Sequence, residues 1–221
     1  MTLPATAESA KDSGHSIGFN LGMICLIVAV AGLGLAYMIV AAGRAAHPDL
    51  SGSATRTLGG RELTVPVAWL REDADRTAGF AKQVEVGLDL PLGPEAAPRE
   101  IDITLVPRSR ARPSASLLDG VYLHQFTPDQ LSGPPGLIGK PLVAAEGYAE
   151  ETVWYDAISS SPFVAKCIAP VAEGQPGRCI RTVYLGAGVA AIYSFDEDVL
   201  VNWKQFDAAL HPALKQIGAL D

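Results

Sequence analysis

The sequence predicts an α+β protein with one N-terminal transmembrane helix, followed by a mostly antiparallel β-sheet domain packed by a C-terminal amphipathic helix. Three observations predict this architecture. Residues 21–42 are apolar and uncharged, segments within residues 61–195 alternate between apolar and polar side chains, and residues 197–220 carry one apolar stripe. Period-two alternation is typical of strands that bury one face, and a stripe at helical spacing is typical of a surface helix. Runs of strands followed by a helix favour the α+β class.

The composition fits one anchored domain and argues against nucleic-acid binding. The 221 residues include 17 basic and 24 acidic side chains, which give a formal net charge of −7, whereas nucleic-acid-binding domains carry a strongly basic face. We predict a disordered tail over 1–16, the transmembrane helix over 17–43, a linker over 44–58 and a soluble α+β domain over 59–221. The linker is predicted from Pro48 and the Ser, Gly and Thr residues that follow it.

The apolar run is long enough to cross a membrane. At about 1.5 Å per residue, residues 21–42 make a helix of roughly 33 Å. No charged residue interrupts the run, and a charge at mid-bilayer would be costly. The alternative is a cleaved signal peptide, because Ala41 and Gly43 fit a cleavage site. The run exceeds the roughly 7–15 residues of a signal h-region, which favours a permanent anchor.

A stripe of small residues lies along one face of this helix. Its members are spaced 4, 3, 4, 3 and 4 apart and are Gly18, Gly22, Cys25, Ala29, Gly32 and Ala36. Such stripes let two transmembrane backbones approach closely, so the sequence predicts packing against a membrane-protein partner or a second copy of the chain. The alternative is ordinary composition, since glycine and alanine are common in transmembrane helices.

The orientation of the helix is signalled in two opposite ways. Arg44, Arg56 and Arg61 follow the apolar run, and only Lys11 and the terminal amine precede it. The positive-inside rule then places the large domain in the cytoplasm, although long domains are exported despite a weak charge bias. Because the cysteines favour export, we predict a single-pass protein of the bacterial inner membrane with its C-terminal domain in the periplasm.

A disulfide is the interpretation we favour for the cysteines of the soluble part. Cys167 and Cys179 are the only two there, and they flank the turn-rich stretch IAPVAEGQPGR. Two cysteines that bracket one loop in an otherwise cysteine-free domain are typical of a bridge formed in an oxidising compartment. The bridge would close a loop of about 13 residues and stabilise the domain by roughly 3 kcal/mol in the chain-entropy model. The alternative is a pair of unlinked thiols on neighbouring strands.

Seven segments of the soluble part are predicted to be strands. They lie within residues 61–70, 83–90, 100–106, 152–157, 163–168, 179–185 and 188–195. The fourth and fifth are expected to pair across a turn at residues 159–162, and the last two across Gly186-Ala187. The stretches between them are a basic loop at 107–113, an element at 116–126 that fits helix or strand, and a turn-rich stretch at 131–140.

The final element is predicted to be a helix over about residues 197–220. Its apolar stripe is spaced 3, 3, 4, 4 and 3 and consists of Leu200, Trp203, Phe206, Leu210, Leu214 and Ile217. Ser194 or Asp196 fits the N-cap, and the acidic run at 196–198 suits the positive end of a helix dipole. The stripe is expected to pack on one face of the sheet.

No catalytic or cofactor motif is present in the sequence. It lacks H-E-x-x-H, C-x-x-C, G-x-S-x-G and the glycine-rich phosphate loops, so we predict no cofactor and no metal site. One residue has chemical promise, because His124 lies near Asp119, Tyr122 and Gln125 and would suit a general base. More often such a histidine is a half-buried packing residue.

Two charged groups have alternative interpretations. The acidic group would either hold a cation or form a solvated face, and it consists of Glu146, Glu150, Glu151 and Asp156. Arg108, Arg110 and Arg112 alternate between two prolines. In an extended loop all three would point the same way and form a patch for an anionic partner or lipid headgroup. The alternative is a basic loop that only aids solubility.

The order of these features resembles an uncharacterised family of bacterial single-span inner-membrane proteins with an exported C-terminal domain. The resemblance is carried by RELTVPVAWLR, EGYAEETVWYD, FVAKC, GRCIRTVYLG and IYSFDEDVLVNWKQFDAAL, and it covers most of residues 59–210. It implies an exported domain and no catalytic residue.

We therefore predict a membrane-anchored, non-enzymatic module, an accessory or interaction subunit that supports a membrane or envelope protein complex. The first alternative is a periplasmic domain that binds a small ligand or lipid in a pocket between the sheet and the final helix. The second is a hydrolytic enzyme that uses His124, which requires this histidine in a cleft within hydrogen-bond reach of a carboxylate.

Overall fold

The chain forms two compact units, residues 1–49 and 50–221. A computed structural model describes residues 17–46, 51–71, 79–144, 150–170, 172, 174–186 and 188–220. The predicted tail over 1–16 lies outside these residues, as do residues 47–50 of the predicted linker.

The described part of the first unit is one long helix. This helix, α1, spans Ile17–Ala46 and includes the predicted segment 17–43. Its section Leu21–Val40 is 20 residues long with a mean hydropathy of 2.6, which is long and apolar enough to cross a membrane by length and composition. The side chains of that section are exposed.

The second unit is built on a seven-stranded antiparallel sheet. Its strands are β4 (Val84–Leu92), β5 (Ala97–Pro107), β6 (Ile138–Pro141), β7 (Glu151–Tyr155), β8 (Val164–Ile168), β9 (Arg178–Tyr184) and β10 (Val189–Asp196). Their spatial order is β4-β5-β10-β9-β8-β7-β6. The predicted hairpins β7–β8 and β9–β10 are both present. With the N-terminal helix and the helix that packs on the sheet, this confirms the predicted α+β class.

A smaller sheet corrects the predicted linker. Its strands are β1 (Ser53–Leu58), β2 (Arg61–Pro66) and β3 (Gly79–Phe80), in the order β2-β1-β3. The predicted linker 44–58 therefore contains the last turn of α1 and the whole of β1. Its small polar residues concealed a strand, because Ala54, Arg56 and Leu58 alternate toward the interior with 5%, 5% and 0% exposure.

The main core lies between one face of the large sheet and the C-terminal helix α3 (Trp203–Gln216). Phe206 lies at its centre, with its ring centroid 4.8 Å from that of Phe195 and 5.6 Å from that of Tyr193. The six residues of the predicted stripe all belong to this core, with Trp203 partly buried. The smaller sheet joins the same core, and the Thr64 amide donates to the Ile217 carbonyl oxygen at 3.1 Å.

The C-terminal helix is shorter than the predicted 197–220. Residues Glu197–Asn202 form a 3₁₀ turn instead, which buries the adjacent side chains of Val199 and Leu200 together. Asp196 is the N-cap of that turn, but its side chain makes no capping hydrogen bond. At the other end Gly218 adopts φ of +78°, and the Ala219 amide donates back to the Leu214 carbonyl oxygen at 2.9 Å. This is a Schellman ending, which stops the helix.

A second, smaller core lies on the opposite face of the large sheet, at the β7–β8 end. The ambiguous element at 116–126 is helical, with α2 at Ser114–Gly120 and a 3₁₀ turn at Tyr122–His124. Leu118 and Tyr122 pack there on Val153 and Val164. Because α2 covers only this end, the rest of that face has no helix on it among the described residues.

Candidate interaction surface

The sheet face that lies away from α3, outside the part covered by α2, is open to solvent. Successive residues of a strand point to opposite faces, so the residues that alternate with the main core belong to this face. We call it the open face, and its members are Glu85, Gly87, Asp102, Thr104, Lys166, Ile168, Arg178, Ile180, Ile192 and Ser194. All of them are exposed or half-buried.

An ion network crosses the open face from strand to strand. Asp102 lies at its centre, and its carboxylate accepts from Arg71 Nε at 3.0 Å and from Arg178 Nη2 at 3.0 Å. Arg71 also pairs with Glu100, and Arg178 Nη1 donates to Asp196 Oδ1 at 2.8 Å. Two guanidinium groups are thus held at fixed positions by three carboxylates. Each of these pairs is over one-third exposed, so each stabilises the fold by only about 0.2–1 kcal/mol.

Both arginines stay charged. Burial alone would lower the pKa of Arg71, but the hydrogen bonds and charges of Glu100 and Asp102 outweigh it, so the pKa is raised. The hydrogen bond to Asp196 is the largest influence on Arg178 and raises its pKa, with support from Asp102 against partial burial. A partner would therefore meet a fixed pattern of charge.

Gly87 makes room for this network. It lies opposite Asp102 in the β4–β5 register, and the Arg71 guanidinium lies across it. A Cβ at Gly87 would come within 2.0 Å of Arg71 Cζ, which no real contact allows. The absence of a side chain at Gly87 thus lets Arg71 reach from the edge of the sheet to the carboxylate on β5.

Apolar side chains border the network. Ile168 and Ile180 are each 38% exposed, and in the sheet register they lie opposite Arg178 and Ser194 respectively. Large apolar residues that border fixed charges are typical of protein-binding surfaces. The sequence reasoning missed this surface. Its signal was the row of polar residues that alternate with the core on β5, β9 and β10, but the sequence does not show which of them meet.

The predicted arginine patch does not have the expected geometry. Arg108–Arg110 is a 3₁₀ turn rather than an extended loop, so the arginines diverge. Arg108 lies 4.0 Å from the ring centroid of Tyr184, and Arg110 donates to the Lys82 carbonyl oxygen at 3.2 Å. Arg112 is exposed. Binding of an anion or lipid headgroup by the segment 108–112 stays a prediction. The expected arrangement, with all three arginines pointing the same way, is not present.

His124 does not meet the requirement for the hydrolytic alternative. It lies at the end of a 3₁₀ turn with an exposed side chain. No hydrogen bond joins it to Asp119 or Gln125, all three of which are described residues. The turn explains this arrangement, because it points His124 away from the interior, where Tyr122 is buried.

The predicted acidic group is divided between separate roles. Glu151 accepts from Lys166 Nζ at 2.7 Å, and Asp156 accepts from the Ile158 amide at 3.0 Å. Glu146 lies outside the described residues, and Glu150 is exposed. Among the described residues no group of three or more His, Cys, Asp or Glu side chains is placed to hold a metal ion.

Cys167 and Cys179 form the predicted disulfide. They lie directly opposite one another on β8 and β9 and are 2% and 0% exposed. The bridge therefore ties two central strands together beneath the open face and closes the loop between them.

Among the clefts that border α3 in the described part of the chain, two lie between this helix and the sheet and bear on the small-ligand alternative. The larger has a volume of about 560 Å³ and lies between α3 and β4, beside Trp69 and Ala213. The smaller, about 230 Å³, lies on the other side of α3 and is lined by Arg181, Asp207 and Tyr193. Between them the rings around Phe206 fill the interface, so these are surface clefts rather than a deep pocket between sheet and helix.

The smaller cleft contains an ion pair between a buried arginine and an exposed aspartate. Arg181 Nη2 donates to Asp207 Oδ2 at 2.7 Å, and the guanidinium carbon lies 4.4 Å from the ring centroid of Phe163. Tyr193 is 2% exposed, and its hydroxyl has no hydrogen bond to another described residue. Burial raises the pKa of Tyr193, the charge of Asp207 raises it further, and Arg181 partly offsets both. The hydroxyl therefore stays protonated.

The small-residue stripe belongs to α1. Gly18 lies within that helix, but its environment is not among those described. A Cβ added at Gly22 or Gly32 would meet nothing within 4 Å, and the same holds for Gly34, which is off the stripe. The structure thus leaves the stripe open, and its role in helix packing stays a prediction.

Comparison with known proteins shows a likeness of fold. No protein-family model matches the sequence, and no curated protein matches it. A solved structure of similar fold is an immunity protein of the Stenotrophomonas maltophilia type IV secretion system. Its TM-score is 0.50 at 14% identity, over 76% of this chain and 93% of that chain. At this identity the likeness concerns the fold alone, and the predicted family stays a prediction.

Proposed function

We propose that this chain is a membrane-anchored, non-enzymatic module that binds a partner protein through the open face. The observation that carries the proposal is the Asp102 network, in which two permanently charged arginines are held at fixed positions beside two half-exposed isoleucines. A partner would gain apolar contact and charge complementarity from a surface that needs little reordering on binding. The fold likeness to an immunity protein supports a role in binding rather than catalysis.

The anchor and compartment belong to the same proposal. The length and composition of Leu21–Val40 support insertion, and the Cys167–Cys179 bridge supports an oxidising compartment such as the periplasm. Alkaline extraction of cell membranes tests the first claim, because an inserted helix stays in the pellet. Protease treatment of spheroplasts tests the second, since only an exported domain is digested before lysis.

The partner is the open part of the proposal. Our first candidate is a membrane or envelope complex that this chain supports as an accessory subunit. The second is an effector protein that this chain neutralises, a role favoured by the fold of the immunity protein. Identification of the co-purified protein separates the two, because one is a resident of the same envelope and the other is a secreted or delivered protein.

The test is purification of tagged full-length chain from native membranes in mild detergent, with mass spectrometry of what co-purifies. Asp102→Asn should release both arginines, and Ile180→Asp should remove apolar contact, so both should lose the partner. Arg99→Ala is the matched control, because Arg99 pairs with Asp198 in an equally exposed ion pair on the α3 side. A partner retained by both open-face variants would overturn the proposal.

A separate set of variants tests whether α1 also contacts the partner. Gly32→Leu places a large side chain on the stripe, and Gly34→Leu places the same side chain on the opposite side of the helix. A Cβ added at either position meets no described atom within 4 Å. Because the two variants carry the same side chain, an effect of Gly32→Leu alone depends on the face of the helix that it occupies. Loss of the partner or of a homodimer with the first variant alone would support helix packing, and equal behaviour would exclude it.

Small-ligand binding remains the second candidate function. It is favoured by the smaller cleft, where the buried Tyr193 hydroxyl has no partner among the described residues. Native mass spectrometry of the full chain in detergent tests it. A bound lipid or small molecule that is lost in Tyr193→Phe would favour this function, and an unliganded mass would count against it.

A further inference from the structure

In the described part of the chain, the outer edge of β4 is paired only in part. β4 is the first strand of the large sheet, and among the described residues it pairs with β5 and makes one short further contact near Leu70. There the Arg71 amide donates to the Glu85 carbonyl oxygen at 3.1 Å, so the main-chain groups of Glu85 point outward. By the period of a strand, those of Gly87 and Asp89 point outward too. The Leu70–Val86 bridge also directs the Gly87 amide toward Trp69. The outward groups to which no described residue is hydrogen-bonded are therefore the Gly87 carbonyl oxygen and the amide and carbonyl oxygen of Asp89.

The larger cleft runs along this same edge. Its walls are Gly87 to Pro91 on β4, the 3₁₀ turn at Ala68 and Trp69, and the α3 residues Ala209 and Ala213. With a volume of about 560 Å³, it has room for side chains of an added strand. Those that point toward α3 would contact Trp69, Leu88 and the alanines, so they should be apolar.

The other face of an added strand would meet acidic side chains. Asp89 is exposed and lies opposite Glu100 in the register, and like charges placed directly opposite are unfavourable. Glu100 is paired with Arg71, whereas Asp89 makes no ion pair with another described residue. A basic side chain beside Asp89 would relieve this repulsion. A second copy of β4 would instead bring Glu85 or Asp89 against its own acidic residues, which argues against edge-to-edge dimers.

We propose that the β4 edge binds an extended segment of the partner protein in which apolar residues alternate with lysine or arginine. The segment would add a short strand at Gly87–Pro91, with main-chain hydrogen bonds to the Gly87 carbonyl oxygen and to the amide and carbonyl oxygen of Asp89. Its apolar side chains would enter the cleft beside α3, and a basic side chain would lie next to Asp89. This inference rests on the proposed function, since it names the kind of segment that the partner presents.

The probe is a labelled peptide of about eight residues, which is long enough to exceed the exposed edge, with alternating valine and lysine. Binding to the full chain in detergent is measured by fluorescence anisotropy. A peptide with glutamate in place of lysine tests the charge. A peptide N-methylated on alternate amides tests strand pairing, because it has lost the donors of one edge. Both control peptides should bind about tenfold more weakly or not at all.

Two substitutions at one position separate the main chain from the charge. Asp89→Pro removes an outward N–H that β5 does not use, which edge strands tolerate, and should weaken the peptide about tenfold or more. Asp89→Asn keeps the N–H and should weaken it about two- to fivefold. Thermal unfolding checks that both variants fold, and Asp89→Asn keeps the test valid where Asp89→Pro fails to fold.

Several results would overturn the proposal. The proposal is wrong if the basic peptide fails to bind at about 1 mM, or if the acidic or N-methylated peptide binds as tightly as the basic one. It is also wrong if Asp89→Pro binds the basic peptide as tightly as the wild type does, or if the chain forms a dimer that pairs two β4 edges. If Asp89→Pro retains the native partner and Asp102→Asn loses it, strand addition at β4 is excluded and the proposed function still stands. Peptide binding without any native partner would support strand addition at β4 and would count against the proposed function.

Discussion

Removal of the Cys167–Cys179 bridge should destabilise the second unit by about 3 kcal/mol through loop closure alone. The bridge closes a loop with a sequence separation of 12, and it links directly opposed residues of β8 and β9. For a unit of residues 50–221, this loss corresponds to a melting temperature lower by roughly 6–12 °C. Cys167→Ala with Cys179→Ala should lose somewhat more, because both sulfur atoms are buried and their removal leaves a cavity.

The assay is thermal unfolding of the full chain in detergent, followed by near-ultraviolet circular dichroism. Three samples separate the contributions: oxidised wild type, wild type unfolded and refolded with reductant, and the double alanine variant. The reduced wild type keeps both sulfur atoms, so its difference from the oxidised protein measures loop closure, and its difference from the variant measures packing. Oxidised and reduced wild type that melt within about 2 °C of each other would refute the reasoning.

Three further predictions concern single residues. Gly87→Ala should push Arg71 away from Asp102 and abolish partner binding, as Arg71→Ala does. The free energy of unfolding in urea should change by less than about 1 kcal/mol, because the exposed ion pairs are weak and alanine suits a strand better than glycine. Unchanged partner binding would contradict this prediction. Phe206→Ala should lower the free energy of unfolding by about 3–5 kcal/mol in the same urea assay, and a loss below about 1 kcal/mol would mean that α3 is not packed as described. Stability should fall as pH rises above about 10, because Tyr193 ionises there when unfolded but keeps its proton in the fold, where its pKa is raised. Tyr193→Phe should flatten that alkaline decline, and an identical pH profile would contradict the burial argument.

The parts of the fold that follow from local pattern could be predicted from the sequence. The helix around residues 21–42, the alternation on β4 and β5, and the stripe on α3 each reflect burial of one face, which the sequence records directly. The hairpin β9–β10 was visible from two strand-like segments around Gly186. The disulfide was visible because only two cysteines follow the anchor.

The parts that depend on contacts between distant residues could not be predicted. The sequence does not indicate that the Arg71 side chain lies across Gly87. Likewise Gly139 lies opposite Trp154, and a Cβ there would come within 2.4 Å of the indole ring. The turn-rich appearance of residues 131–140 therefore concealed β6, whose glycine makes room for a tryptophan. The strand β1 was missed because Leu58 is the only large apolar residue among its interior positions, and the other two are Ala54 and Arg56.

Site-specific photocrosslinking in living cells tests most directly whether the open face binds the partner. A photoreactive amino acid is placed at Ile180 on the open face in one strain and at Ala208, an exposed position on α3, in another. Our account predicts a crosslink to one membrane-associated or delivered protein from position 180, and none from position 208. A crosslink from position 208 alone, or the same products from both positions, would contradict it.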